Sequence, residues 1–339
     1  MRRLSRRAFL RSAAVYTARC SAAISGLAGA NTFAGNAQGL LAAPAPSPAG
    51  RGRWFTRASL PFPRTEIGVA GLAGKVYVLA GYAHGRVDQP FVHEYDPAND
   101  AWRELAPMPR GLNHVGVEGL NGRIYVFGGF IEQNRNAIRD CAVYDVRENR
   151  WQAIAPLPAK RGAMSVVALS NRLHVIGGRD ETSVGTHDVY DPATDAWSQR
   201  APMPNGRDHI GLVVVAGRIH AIAGRVNTFF FNSDLHHVYD PATDTWSPRA
   251  PLPTARSGVG STPLAGRIFI FGGESGGGVF PQNEAYDPAT DTWTTMAPMP
   301  TPRHGTGAVT INNVIYMPGG GLTVGGSQPT VVNEAFTLT

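Results

Sequence analysis

Short apolar runs recur along this chain, each closed by a polar or glycine-containing turn. The stretch 115–151 shows the pattern well. Val115-Gly116-Val117 begins one run, Ile124-Tyr125-Val126-Phe127 is the next, Ala142-Val143-Tyr144 the third, and Trp151 opens a fourth. Asn121-Gly122, Gly128-Gly129 and Asp145 separate them. Runs this short, rich in β-branched and aromatic residues, predict strands rather than helices. Asn-Gly between the first two predicts a tight hairpin. The same turn reads Ala73-Gly74, Asn171-Arg172, Ala216-Gly217, Ala265-Gly266 and Asn312-Asn313 in the other units. Tyr-Asp-Pro closes the third run at Tyr95, Tyr190, Tyr239 and Tyr286, with proline placed where a strand ladder has ended.

Two independent markers repeat in one phase. The six tryptophans are Trp54, Trp102, Trp151, Trp197, Trp246 and Trp293, spaced 48, 49, 46, 49 and 47 residues apart. A small-residue pair keeps those same gaps, starting at Ala80, Gly128, Gly177, Ala223, Gly272 and Gly319. One four-stranded unit cannot bury both faces alone, so such units stack. The chain from Trp54 to Pro61 reads as a fourth strand, and Asn333-Glu334-Ala335-Phe336 reads as a third. The N-terminal strand is therefore expected to complete the last unit and remove two open edges.

The Gly-Gly, Tyr-Asp-Pro and Trp, with an Arg shortly after Pro-Met-Pro or Pro-Leu-Pro, resemble the Kelch repeat over residues 53–339. The resemblance implies an all-β, six-bladed Kelch β-propeller of four-stranded blades, its ring closed by the N-terminal strand in the last blade.

Composition changes the picture in one respect. The formal net charge of +6 comes from six Arg and no acid in residues 1–50, leaving 25 basic and 25 acidic residues beyond. A neutral body gives no reason to expect nucleic acid as partner. Ser5-Arg6-Arg7-Ala8-Phe9-Leu10-Arg11 resembles a twin-arginine export signal, assigned to 1–43, and a Pro/Ala linker is assigned to 44–52. The expected location is periplasmic or secreted. No run approaches the ~20 apolar residues of a transmembrane segment, so none is expected. Cys141, the lone cysteine of the body, reads as a packed strand residue.

Comparison among the units separates scaffold from candidate site. Arg64, Arg110, Arg161, Arg207, Arg256 and Arg303 recur in all six and read as architectural. Fourteen residues before the small pair stand Glu66, His114, Ala163, His209, Gly258 and Gly305. Immediately after the pair stand Tyr82, Phe130, Arg179, Arg225, Glu274 and Gly321, with Asp208 and His304 one step from the first set. Antiparallel pairing of the first two strands puts both sets at one mouth of the central channel. Glu66, His114, Arg179, His209, Arg225, Glu274 and His304 are the expected ligand-binding residues. They suit a small polar or anionic ligand such as an acidic sugar. No cofactor and no metal is expected, because the histidines show no ligand spacing within the sequence. Phe229-Phe230-Phe231 reads as a loop packed on its neighbour, and Ser275-Gly276-Gly277-Gly278 as a mobile loop.

No nucleophile motif or phosphate loop appears. The leading expectation is a ligand- or protein-binding module acting through the channel mouth. The alternative follows from resemblance: exported six-unit Kelch propellers include sialic acid mutarotases, which interconvert anomers of N-acetylneuraminate. That reaction needs a proton donor and acceptor and a cation for the carboxylate. Galactose oxidase also uses a Kelch propeller. A copper oxidase of that kind is disfavoured here, because Cys141 falls on a third strand away from the mouth.

Overall fold

The computed structural model of the chain describes residues 50–338. The expected export signal, and the linker up to residue 49, lie outside the described residues. Among the described residues there is no α-helix, and no helix long and apolar enough to cross a membrane.

Each predicted hairpin forms. In blade 1, Gly68–Leu72, Lys75–Leu79, Val92–Asp96 and Ala101–Leu105 lie side by side in chain order, all antiparallel. Blades 2, 3 and 4 repeat this with first strands Gly116–Leu120, Ser165–Leu169 and Gly211–Val215. Blade 5 starts at Gly260–Leu264 and carries an extra two-stranded hairpin, Glu274–Ser275 with Gly278–Val279, where the sequence suggested a mobile loop. Blade 6 combines Val309–Ile311, Val314–Pro318 and Asn333–Thr337 with the N-terminal strand Arg53–Thr56, Trp54 lying opposite Phe336. The two ends of the propeller are thus clasped in one sheet. The first strand of each blade touches the first strand of the next, and the sixth touches the first again.

The tryptophan ruler has a physical cause. Every indole reaches back one blade and donates its Nε1–H to a backbone carbonyl there. Trp102 reaches Ala58 at 2.8 Å, Trp151 Ala106 at 3.0 Å, Trp197 Ala155 at 3.0 Å and Trp246 Ala201 at 2.8 Å. Trp293 reaches Ala250 at 2.9 Å, and Trp54 closes the circle on Ala297 at 2.9 Å. In five of these joints the amide of the same alanine donates to a side chain five residues beyond a buried tyrosine: Asp100, Asn149, Asp195, Asp244 or Asp291. The tyrosine hydroxyl donates to the same oxygen. Each joint therefore combines aromatic burial with satisfied backbone groups.

The arginine expectation needs one correction. Arg64, Arg161, Arg207, Arg256 and Arg303 are fully buried and reach a third-strand partner, respectively His93, Asp188, His237, Glu284 and Glu334. Arg110 is exposed and only grazes Asp140 at 3.5 Å. The equivalent position in blade 2 is Leu112, buried in the core, and the partner position there is Ala142. Blade 2 lacks both polar members at once, as expected for a buried pair whose members are costly singly and dispensable jointly.

Cys141 is buried as expected, and burial pushes its thiol up to about 12. The phenylalanine expectation holds in part: the Phe230 ring lies against Gly276 in the neighbouring blade 5 loop and packs on Phe229, while Phe230 and Phe231 remain 70% and 68% exposed.

Candidate functional site at the propeller axis

The site begins with a backbone conformation. Glu66, His114, Ala163 and His209 all sit in the left-handed region, with φ of 54°, 52°, 56° and 55°. Gly258 and Gly305 hold the same place in blades 5 and 6, with φ of 65° and 62°. Backbone hydrogen bonds link them around the axis. His114 N donates to Glu66 O, Ala163 N to His114 O, His209 N to Ala163 O, Gly258 N to His209 O and Gly305 N to Gly258 O, at 2.8–3.1 Å. Ile67 N completes the circle on Gly305 O at 3.2 Å.

A non-glycine residue in this region costs on the order of 1 kcal/mol or more. Glycine serves where nothing is aimed at the axis, and Glu66, His114 and His209 stand where a side chain is. Gly305 has a further reason: a Cβ there would lie 2.8 Å from the Glu66 carboxyl carbon.

Side chains from five blades meet at this ring. Glu66 Oε2 lies 3.1 Å from His114 Nε2 and 4.0 Å from His209 Nε2. Glu66 Oε1 lies 3.3 Å from His304 Nε2, which is also 3.3 Å from Glu274 Oε2. Arg225 donates to Glu274 at 2.5 Å, to Asp208 at 3.1 Å and to His209 Nε2 at 2.8 Å. All of these side chains are buried.

The hydrogen bonds fix the tautomers. Asn113 Nδ2 donates to Asp88, Phe130 O and Glu132 O, so its Oδ1 faces His114 Nδ1 at 2.5 Å. His114 therefore carries its proton on Nδ1. His209 Nδ1 likewise donates to Asp208, and His304 Nδ1 to Gly321 O at 3.2 Å. Each imidazole is oriented by its outer nitrogen and turns Nε2 to the axis. His209 Nε2 accepts from Arg225, whereas His114 Nε2 and His304 Nε2 have no hydrogen-bond partner.

Charge is concentrated accordingly. Burial alone would raise the Glu66 carboxyl, but the imidazoles of His114, His304 and His209 outweigh it and hold it well below the usual carboxylate range. Burial lowers His114 to about 3. Burial would also lower His304, but Glu66 and Glu274 outweigh it and raise that imidazole above its ordinary value. Asp208 is held low by His209 and Arg225 against the opposing effect of burial.

Six of the seven expected residues thus converge: Glu66, His114, His209, Arg225, Glu274 and His304. They form a sealed axial cluster rather than an open mouth. Gly325 N donates to Glu274 Oε2 at 2.8 Å, and Gln133 bridges Gly325 O and the Tyr82 hydroxyl, so loops of blades 1, 2 and 6 close over it. Arg179 stays outside, half-buried, donating to Asn227 O at 2.8 Å. The expectation of no metal rested on the distance between histidines along the chain. Ring closure removes that distance, and Glu66, His114 and His209, and likewise Glu66, Glu274 and His304, place ligand atoms within 4.8 Å of one another.

On the other side of the ring runs a channel of about 400 Å³, lined by the six first strands and ending on the ring of Glu66, His114, Ala163, His209, Gly258 and Gly305. Its wall includes Glu118, whose carboxyl burial pushes up to about 7. Asn113, Gln133 and Glu118 escaped the sequence reading. Asn113 stands at the same repeat position as Asp208 and His304, so register could have found it. Gln133 lies in a loop outside the repeat phase, and Glu118 is the one charged residue at a strand position filled by Ala70, Val167, Val213, Thr262 and Val309 in the other blades.

These features define a closed six-bladed β-propeller with a polar, loop-covered axial end. The KLHDC2/KLHL20/DRC7 Kelch-repeats domain matches residues 69–251, and the Kelch motif matches 255–300. The chain belongs to the Kelch-repeat family. Among many solved structures that share the fold, that of YjhT aligns with a TM-score of 0.72 at 18% identity, covering 82% of this chain and 95% of that one. No curated protein matches the chain in sequence.

Proposed function

We propose that this chain is an exported propeller, periplasmic or secreted, that binds a small polar ligand in its axial channel. The carrying observation is the channel of about 400 Å³ that ends on the left-handed ring, three of whose six residues are Glu66, His114 and His209 and whose wall carries Glu118. That volume suits a molecule of monosaccharide size. Arg225 is already engaged by Glu274, Asp208 and His209, which favours a neutral polyol over an acidic sugar.

A second reading is an enzyme of the mutarotase kind. It draws support from Glu66 and His304, a carboxylate and an imidazole 3.3 Å apart with opposite shifts in proton affinity. One experiment separates the readings. Neutral and acidic monosaccharides are examined by saturation-transfer and exchange NMR with the folded protein. Binding of a neutral sugar without faster anomer exchange supports the channel reading. Accelerated exchange of an acidic sugar favours the enzyme. Absence of both effects across the panel removes the sugar-sized channel ligand.

A further inference from the structure

The axial cluster carries a charge imbalance. Glu66, Glu274 and Asp208 are three buried carboxylates, and Arg225 is the one guanidinium among them. With the imidazoles neutral, two negative charges are left over in a place shielded from water, where an uncompensated charge costs several kcal/mol. The histidines sharpen the problem. His114 and His304 commit Nδ1–H to Asn113 and to Gly321 O, so in the neutral ring the Nε2 lone pair faces a carboxylate oxygen. Lone pair against carboxylate is repulsive unless a positive charge stands between them. Both Nε2 atoms are buried and without a hydrogen-bond partner.

We propose that this cluster binds one divalent transition-metal ion, held by Glu66, His304 and Glu274. His304 Nε2 is 3.3 Å from an oxygen of each glutamate. Donors about 2 Å from a tetrahedral ion stand about 3.3 Å from one another. The surroundings are those of a ligand set oriented from behind: Gly321 O fixes the His304 ring, Arg225 holds the far oxygen of Glu274, and His114 flanks the far oxygen of Glu66. One imidazole with two carboxylates suits Zn²⁺, Co²⁺ or Mn²⁺ rather than a soft, thiolate-seeking ion. The divalent charge cancels the surplus of two. This inference is independent of any molecule in the channel.

The competing solution places protons on His304 and His114 instead of an ion, and the test separates the two. Chelator-treated full-length protein is titrated with Zn²⁺ by calorimetry in buffers of different ionisation enthalpy, and metal content is measured after dialysis. The expected result is one Zn²⁺ per chain, with any proton on His304 Nε2 released to the buffer as its lone pair takes the ion. His304→Ala and the isosteric Glu274→Gln should each weaken Zn²⁺ binding more than about 10-fold. Arg179→Ala, outside the cluster, should retain it. Co²⁺ bound in place of Zn²⁺ should show visible d–d bands that Glu274→Gln alters. The inference is overturned if the chelated protein takes up no stoichiometric Zn²⁺, or if folded Glu274→Gln binds as tightly as the parent. Should His304→Ala fail to fold, Glu274→Gln alone decides.

Discussion

Between blades 3 and 4, His174 donates from Nδ1 to His187 Nε2 at 2.8 Å, and His187 donates onward to Ala201 O at 3.3 Å. Blades 4 and 5 repeat the arrangement, with His220 to His236 at 2.9 Å and His236 to Ala250 O at 3.3 Å. Those two carbonyls also receive Trp246 and Trp293, so these histidines belong to the joints between blades. At the axis the wiring differs. His114 and His304 spend Nδ1 on the protein and leave Nε2 facing a carboxylate. His187 and His236 spend both nitrogens inside the joints, whereas His114 and His304 leave a buried Nε2 unpaired beside a carboxylate, and it is that buried, unpaired nitrogen that marks a ring built to receive something. His236 and His237 show how little adjacency in sequence means here: the first meets His220 and the second meets Arg207 across the strand.

The comparison is tested most strongly by removing one member of each kind. His187→Ala strips the ring from the face of Tyr239 and leaves the His174 Nδ1–H buried without an acceptor. The expected loss is about 2–4 kcal/mol, read as a lower urea midpoint. Glu66→Gln at the axis keeps the shape and gives the His114 or His304 lone pair an amide donor. In the chelator-treated protein its loss should be smaller than that of His187→Ala, about 1–2 kcal/mol. Equal losses in the two variants would erase the distinction between joint and axis.

A smaller effect is expected from pH. Burial lowers His174 and His220 to about 4, and His187 and His236 to about 3, from an ordinary value of 6.5. The unfolded chain then binds protons that the native joints refuse. Their stabilising contribution is complete above pH ~6.5 and declines as pH falls toward the folded values. Melting temperature should therefore drop between pH 7 and 5, a range above the usual carboxylate titrations. A flat profile over that interval means the joint imidazoles are already charged in the fold.

Much of this scaffold was legible because it repeats. The tryptophans and small pairs mark joints that must recur in every blade, so their phase alone gave the blade count and the clasp at Trp54. Arg110 misled because an arginine lies near the repeat position in blade 2, while the core there takes Leu112 and Ala142 instead. The axial residues were findable by register, since position fourteen before the small pair is the left-handed ring. Their burial was not. It depends on Gln133 and Gly325, in loops that share no period with the blades, and on blade 3 turning Arg179 outward to Asn227.

The ring itself supplies the smallest and most specific test. Gly258 has φ of 65°, and a Cβ built there would find its nearest neighbours at 3.6 Å, an ordinary van der Waals distance. Gly258→Ala therefore isolates backbone strain from crowding, and should cost about 1 kcal/mol in urea denaturation. Ala163, with φ of 56°, should gain up to ~1 kcal/mol on replacement by glycine, less what its methyl contributes beside Phe130. Glu66, His114 and His209 accept the same strained backbone while their side chains point at one another. If Gly258→Ala proves free of cost, the left-handed ring exacts nothing, and those three residues need no ligand to justify their place.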